Sequence, residues 1–142
     1  MDTVHTLLAS KGRDIWSVEP DASVYAAIEM MADKSCGALL VMSGAKLAGI
    51  VSERDYARKV ILVGRSSKSM KVNEIMSTSV VTALPSHTIE YCLQVMTDKR
   101  IRHLPVVNND KVVGMLSIGD LVKAIIAKQT FLIAQLEQYI KQ

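Results

Sequence analysis

The stretch that decides the fold is Gly49-Ile50-Val51-Ser52-Glu53-Arg54-Asp55, which recurs as Gly114-Met115-Leu116-Ser117-Ile118-Gly119-Asp120. Gly, Ser and Asp keep the same spacing in both copies, between an apolar run and the start of a helical pattern. The two copies lie 65 residues apart, and the same offset joins Pro20 to Pro85 and Met31 to Met96 without a gap. So many identities in one register predict two homologous units of structure.

Each unit predicts the same order of secondary structure. A short apolar strand, at 15–18 or 80–83, precedes a proline, after which Ser23 or Thr88 provides a helix N-cap. Both helices carry apolar residues at positions i, i+3, i+4 and i+7, so each buries one face. Hairpin strands follow at 38–42 and 47–52 and at 104–107 and 112–117, with second helices starting near Glu53 and Gly119. The predicted fold class is α+β, built from two β-α-β-β-α repeats.

The predicted layout is a single module over residues 1–142. Because units of about 60 residues bury little surface alone, the two repeats are expected to pack sheet to sheet. The last helix is amphipathic beyond its equivalent in repeat one, and its apolar face needs either the first helix around Val4–Leu8 or a second subunit. The predicted bounds are repeat one at about 10–66, a polar and basic linker at about 64–72, repeat two at about 73–130 and a helical extension at about 131–142.

Composition excludes several classes of protein. The 142 residues are 49% hydrophobic, which is globular rather than disordered, and no apolar run approaches the roughly 18 residues of a membrane span. Cys36 and Cys92 lack metal-ligand spacing and are expected as free thiols. Together with an N-terminus unlike a signal peptide, they indicate a cytoplasmic protein. A net charge of +3 suits anionic ligands, but the basic stretch 54–71 holds one aromatic, Tyr56, and lacks the stacking pattern of nucleic-acid binders.

The repeated Ser and Asp suggest a binding chemistry. Ser at the start of a helix can cap it and contact an anion among the unpaired backbone N–H groups. The carboxylate of an Asp one turn later can accept two hydrogen bonds from a cis-diol such as that of ribose. The alternative is that Ser is only a cap and Asp only complements the helix dipole. The duplication of the pair in the same context favours the binding site.

The sequence resembles the paired cystathionine-β-synthase (CBS) domains, also called Bateman modules. The resemblance covers nearly the whole chain and rests on both Gly-x-x-Ser-x-x-Asp elements, on Gly37-Ala38-Leu39-Leu40-Val41 and on Arg102-His103-Leu104-Pro105-Val106-Val107. Residues 52–60 also look like those of small bacterial stand-alone CBS-pair proteins. The resemblance implies a pseudo-twofold pair of repeats with two clefts that bind AMP, ADP, ATP, NAD(H) or S-adenosylmethionine.

The resemblance also implies roles for individual residues. Asp55 and Asp120 would hold ribose hydroxyls, and Ser52 and Ser117 would approach phosphate. Adenine would lie beside Ile50 and Met115, with backbone hydrogen bonds from the strands at Ser17 and Thr82. The remaining candidates for nucleotide binding are Gly37, Ala38, Arg54, Lys68, Arg102, His103 and Pro105.

The two clefts are not expected to be equivalent. Before its second strand, repeat one has small uncharged residues at 35–38, whereas repeat two has three cations and an imidazole at 99–103. We therefore expect the tighter grip on an anion where Arg102 and His103 lie beside Asp120. Lys68 is expected either to close over a nucleotide tail or to lie on a solvated loop.

Three functions remain open at this point. The first is a non-catalytic sensor that binds an adenine nucleotide and signals by conformational change to an effector in trans. The second is a homodimeric scaffold with vestigial clefts. The third is an enzyme that hydrolyses nucleotides, although His5, His87 and His103 lie far apart and no nucleophile elbow, phosphate loop or metal motif is found.

Overall fold

A computed structural model describes residues 2–141, which divide into two compact units. One unit is Ile15–Val81 and contains repeat one. The other contains repeat two from Thr82 onward together with the N-terminal segment up to Asp14. The first helix therefore belongs to the unit of the second repeat.

The unit Ile15–Val81 holds a three-stranded sheet in the order β1 (Ser17–Val18), β2 (Ala38–Ser43) and β3 (Lys46–Ser52). β1 pairs with β2 in parallel, and β2 pairs with β3 as an antiparallel hairpin. Its core is aliphatic. Val24, Ala27 and Met31, from the helix at Val24–Lys34, pack among strand residues such as Leu39 and Val51. The elements are β1 (Ser17–Val18), α2 (Val24–Lys34), β2 (Ala38–Ser43), β3 (Lys46–Ser52) and α3 (Glu53–Tyr56), followed by a π-helical turn (Ala57–Ile61) and a 3₁₀ turn (Val72–Glu74).

The second unit holds a two-stranded antiparallel sheet and three helices. His103 pairs with Ser117 across the sheet as Ala38 pairs with Ser52 in repeat one, so the hairpins share one register. The elements are α1 (Val4–Lys11), α4 (Ile89–Lys99), β4 (His103–Asn108), β5 (Lys111–Ser117) and α5 (Ile118–Lys141). The mixed α+β class is confirmed.

The predicted N-caps are confirmed in both repeats. The Ser23 hydroxyl accepts the amide of Ala26 at 3.0 Å, and the Thr88 hydroxyl accepts the amide of Tyr91 at 3.0 Å. Each cap satisfies an amide that the first turn of a helix leaves unpaired. The side chains of Ile89, Cys92 and Met96 are buried along one face of α4, as the periodicity predicts.

The strand predicted at 80–83 is wrong, because only Ala83 forms a bridge there, in parallel to Val106. The backbone beyond Ala83 is engaged elsewhere. The Leu84 amide donates to Nδ1 of His87 at 3.0 Å, and the Pro85 carbonyl accepts the amide of His5 at 2.9 Å. The strand predicted at 15–18 is likewise shorter, since only Ser17 and Val18 pair.

The segment 64–72 is only partly the surface linker that its polarity predicts. Met70 and Val72 are buried, and the carbonyl of Met70 accepts the first amide of α2, from Val24, at 2.9 Å. The N-terminal segment does the same for repeat two, where the carbonyl of Asp2 accepts the amide of Ile89 at 3.3 Å. In each repeat, a segment that precedes the other repeat thus completes the helix start.

Gly49 on β3 and Gly114 on β5 each lie against a segment of chain from outside their own hairpin. A Cβ on Gly49 would meet the carbonyl oxygen of Ser77 at 2.7 Å. A Cβ on Gly114 would meet the side chain of Leu8, in α1, at 2.8 Å. The glycine that begins each copy of the repeated motif is therefore required for packing. Any larger residue would push Ser77 away from β3 or Leu8 away from β5.

The last helix, α5, is continuous over its 24 residues, and its distal apolar residues are exposed. The first helix does not cover them, because its Leu8 packs instead against Gly114 of β5. That part of the expectation for the first helix is wrong, while the second subunit remains a prediction. The exposed residues beyond residue 130 are Phe131, Leu132, Ile133, Leu136, Tyr139 and Ile140.

Candidate functional site

The candidate site of repeat one lies at the junction of β3 and α3. The Ser52 amide donates to Oδ2 of Asp55 at 2.9 Å, and the Asp55 amide donates to Oγ of Ser52 at 3.2 Å. This reciprocal pair is a capping box, which satisfies two amides at once. Ser52 is held close to a half-buried carboxylate as the spacing predicts, and the capping role of both residues is real.

Repeat two has the same box at the junction of β5 and α5. The Ser117 amide donates to Oδ2 of Asp120 at 2.8 Å, and the Asp120 amide donates to Oγ of Ser117 at 3.1 Å. The duplicated motif therefore builds two local sites of matching geometry. Each presents a hydroxyl and a carboxylate at the end of a buried strand.

A lysine contacts the acid in repeat one. Nζ of Lys59 lies 3.2 Å from Oδ1 of Asp55 and donates to the carbonyl of Ile75 at 2.8 Å. The lysine lies one turn after the acid, a spacing at which the two side chains meet on a helical surface. The Lys59 side chain is 46% exposed, so the contact is screened by solvent.

A different lysine contacts the acid in repeat two. Nζ of Lys11, the last residue of α1, lies 2.6 Å from Oδ2 of Asp120 and also donates to the carbonyl of Met115. Burial favours the neutral acid, but the hydrogen bonds from Lys11 and Ser117 outweigh it and hold the pKa of Asp120 below its ordinary value. Asp120 is therefore an anion at neutral pH.

The imidazole of His103 faces this group of charges. Burial lowers its pKa, and the positive charges of Lys11 and Arg102 add to that, while Asp120 acts in the opposite direction. The net shift is downward, so His103 is neutral at pH 7. One anion, Asp120, and two cations, Lys11 and Arg102, therefore act on the imidazole of His103.

Other predicted residues of repeat one lie on the same strands. Ala38 pairs with Ser52, and the carbonyl of the preceding Gly37 accepts the amide of Glu53 at 3.0 Å. Ile50 is half-buried on β3, and its backbone pairs with Ser77. The remaining positions are those of Ser17, exposed on β1, and Arg54, exposed on α3.

Lys68 lies elsewhere in repeat one. Its ammonium lies 5.2 Å from the centroid of the Tyr25 ring, a cation–π contact with the first turn of α2. Within residues 2–141 it makes no hydrogen bond to Ser52 or Asp55. The structure therefore does not bring Lys68 to the capping box.

In repeat two, Met115 and Pro105 are cross-strand partners, the first half-buried and the second buried. The carbonyl of Pro105 accepts the amide of Ala83 at 2.9 Å, and the preceding Thr82 is exposed. Arg102 is exposed, and its carbonyl accepts the amide of Ile118 at 2.8 Å. These residues therefore surround the end of the β4–β5 hairpin where Asp120 lies.

Sequence reasoning missed both lysines. Lys59 could have been found, because an acid and a lysine four residues apart on a helix are an expected pair. Lys11 could not, because it is separated from Asp120 by 109 residues and precedes repeat two by the whole of repeat one. Only the folded arrangement reveals that α1 supplies a charge to repeat two.

Two other features of the described part of the chain bear on chemistry. Cys36 and Cys92 are free thiols, and burial raises the pKa of Cys92 to about 11, so that thiol is not a reactive thiolate at neutral pH. Among residues 2–141 there is no cluster of three or more His, Cys, Asp or Glu side chains placed to hold a metal ion. No helix in that range has the length and apolar character to cross a membrane.

Comparisons with known proteins identify the family. The CBS domain family model matches residues 11–62 and 72–127. A CBS domain-containing mitochondrial protein of Arabidopsis thaliana, CBSX3, is 39% identical over 98% of this chain and 72% of its own length. A crystallised CBS-domain protein from Burkholderia ambifaria is 50% identical with a TM-score of 0.86, covering 89% of this chain and 96% of its own.

A more distant structure has the same fold with ligands bound. The CBS domain pair of protein MJ0100, in complex with 5′-methylthioadenosine and S-adenosyl-L-methionine, has a TM-score of 0.79 and 22% identity, over 90% of this chain and 98% of its own. Two matches to the family model, together with a relative 39% identical over nearly the whole chain, show that this chain belongs to the CBS domain family and carries two copies of the domain.

Proposed function

We propose that this protein is a non-catalytic regulatory module that binds adenosine-containing ligands at its two Ser/Asp sites and signals by a change of conformation. The ligand class is AMP, ADP, ATP, NAD(H) or S-adenosylmethionine. The observation that carries the proposal is the duplicated strand-to-helix junction, where a hydroxyl and a carboxylate lie together in each repeat. CBS domains are regulatory ligand-binding modules, and the related domain pair of MJ0100 binds two adenosine compounds.

Each residue of the junction has a defined task in this proposal. The carboxylates of Asp55 and Asp120 accept the ribose hydroxyls, because an ionised carboxylate has lone pairs for both members of a cis-diol. Ser52 and Ser117 lie at helix N-termini, where the helix dipole favours a negatively charged group such as phosphate.

The site of repeat two is proposed to hold an anionic ligand more tightly. Lys11 lies 2.6 Å from Asp120, and both Lys11 and Arg102 act on the neighbouring His103. In repeat one, Lys59 is the cation in contact with Asp55, at 3.2 Å. An excess of cations increases the affinity for phosphate.

The signal follows from linkage between binding and conformation. A ligand shifts an equilibrium between two arrangements only by its difference in affinity for them. Each acid is engaged by a lysine and a capping box, so a ribose that binds the carboxylate alters those contacts. Because the acid of repeat two is held by α1, ligand binding there acts on the N-terminal helix as well.

Calorimetric titration of the full chain with AMP, ATP, NADH and S-adenosylmethionine tests the proposal. We expect saturable binding of at least one of them, because one or both sites accept the adenosine moiety. An absence of binding by all four at roughly millimolar concentration, which corresponds to a free energy weaker than about −4 kcal/mol, would reject the function.

A scaffold is the second candidate, and the exposed apolar side of α5 favours it. In that case the sites are vestigial and self-association is the whole function. Thermal unfolding discriminates the two, because a ligand that binds the native state raises the melting temperature by mass action. A melting temperature unchanged by every nucleotide, combined with a stable dimer, would favour the scaffold.

The remaining parts of the proposal concern partners and location. We propose a homodimer that acts in the cytoplasm on an effector protein in trans, without catalysis and without contact with membranes or nucleic acid. The apolar residues of α5 supply a surface for the second subunit.

A further inference from the structure

The two candidate acids are each paired with a lysine, but the two lysines do not occupy equivalent positions. Lys59 lies four residues after Asp55, and the residue at the same place in repeat two is Ala124. Lys11 comes from α1 and reaches Asp120 from outside the repeat. Each ammonium also donates to a backbone carbonyl, of Ile75 or Met115. The same arrangement is therefore built twice from unrelated parts of the chain.

Lys11 is held in place by a well-anchored helix rather than by a loose end of the chain. The amides of Val4 and His5 donate to the carbonyls of His87 and Pro85, both at 2.9 Å. Val4 and Leu8 are buried, with 0% and 1% of their surfaces exposed. The Lys11 side chain is 31% exposed, so its ammonium is accessible to a ligand.

A ligand that binds Asp120 competes with the ammonium of Lys11 for the carboxylate. A ribose whose two hydroxyls occupy both carboxylate oxygens takes Oδ2, from which Nζ of Lys11 lies 2.6 Å, and so displaces the ammonium. A 5′-phosphate is carried by the same ribose whose hydroxyls bind Asp120. It therefore offers the displaced ammonium a new charge-assisted hydrogen bond. A 5′-thioether offers none, and a 5′-sulfonium repels it.

We propose that Lys11 is the specificity-determining residue of the repeat-two site, where it selects adenosine ligands with a 5′-phosphate over those with a 5′-thioether or 5′-sulfonium group. This inference rests on the proposed function.

The test compares AMP with 5′-methylthioadenosine, which keeps the adenosine and replaces the phosphate with a neutral thioether. Both are titrated by calorimetry into an Asp55→Asn background, which weakens repeat one and leaves repeat two as the site observed. The variants added to that background are Lys11→Met, Lys11→Arg and, as the matched control, Lys59→Met.

We expect Lys11→Met to reduce the preference for AMP over 5′-methylthioadenosine by about tenfold, the effect of one charge-assisted hydrogen bond. AMP should bind more weakly because the cation is lost. 5′-Methylthioadenosine should bind equally or more tightly, because Lys11 no longer competes for Asp120. Lys11→Arg keeps the preference because it keeps the charge, and Lys59→Met leaves it unchanged.

Equal weakening of both ligands by Lys11→Met would mean that Lys11 only anchors α1, and would overturn the inference while leaving the proposed function intact. An Arg variant that behaves like the Met variant would overturn the charge argument. If neither ligand binds the Asp55→Asn protein but both bind the unmodified chain, repeat two is not the phosphate site and the inference is wrong. If no adenosine ligand binds the unmodified chain, the proposed function and this inference both fail.

Discussion

At the scale of single residues, Ser and Asp of the repeated motif serve structure and candidate chemistry together. The capping boxes at Ser52–Asp55 and Ser117–Asp120 satisfy helix amides, so the interpretation of these residues as helix caps is confirmed. A cap does not exclude a binding role, because a carboxylate has lone pairs beyond those that one amide uses. The cap also fixes the carboxylate in one orientation, which lowers the entropic cost of binding.

The buried imidazole of His103 predicts how stability responds to acid. Its pKa in the folded protein lies below the ordinary value of 6.5, so the unfolded chain binds the proton more readily. The free energy of unfolding should therefore decrease as the pH falls through 6.5 toward the lower pKa of the folded state. Urea unfolding from about pH 8 to about pH 5 measures this slope.

The matched variant is His103→Gln, in which the slope over that pH range should be smaller. Asp120 does not interfere, because its pKa is also lowered and its contribution is lost only below its ordinary value of 3.8. A slope equal to that of the unmodified chain would show that His103 is not buried as described.

At the scale of elements, the repeated glycines predict a graded loss of stability. Gly49→Ala places a Cβ 2.7 Å from a backbone oxygen, whereas Gly114→Ala places one 2.8 Å from the flexible end of Leu8. We expect Gly114→Ala to cost about 1–3 kcal/mol and Gly49→Ala more, because a backbone cannot move aside as a side chain can. Gly119→Ala is the control, since its nearest contact is 3.6 Å away. Chemical denaturation measures all three.

The same experiment has an internal check. In a Leu8→Ala background the penalty of Gly114→Ala should shrink, because the clashing side chain is gone. Additive losses in the double variant would contradict the packing of α1 against β5.

Patterns in the sequence predicted those elements whose stability is local. The caps at Ser23 and Thr88 and the hairpin strands follow from turn chemistry and apolar periodicity, and the structure confirms them. The predicted strand at 80–83 is reduced to the bridge at Ala83, and the linker is partly buried because Met70 and Val72 pack into the core of repeat one, which no local pattern reveals. The candidate site divides in the same way: the Ser/Asp pairs were predictable, whereas the contact of Lys11 with Asp120 was not.

At the scale of the whole molecule, the exposed side of α5 predicts self-association. Ile126, Ile133 and Ile140 recur every seven residues, and the second set of heptad positions holds Val122, Gln129 and Leu136. These side chains are exposed in the single chain, up to 80% for Ile140. Such a seam is self-complementary, so its expected occupant is α5 of a second copy.

Sedimentation at micromolar concentration should therefore give twice the chain mass of 15.6 kDa. Introducing Glu at Ile133 and Leu136 should yield the monomer, because burying two carboxylates in an apolar seam is costly. Gln138→Glu adds a charge outside the heptad positions named above and should leave the dimer intact. A monomeric wild-type chain, or a dimer that survives both substitutions in the seam, would contradict this assembly.

Calorimetric titration of AMP into the unmodified chain, Asp120→Asn and Asp55→Asn tests the central claim most directly. The account predicts saturable binding to the unmodified chain and a larger loss of affinity for Asp120→Asn, by about tenfold or more, because repeat two holds the stronger grip on an anion. A larger loss for Asp55→Asn would contradict the assignment of the stronger site. Equal binding by all three proteins would contradict the role of the two acids altogether.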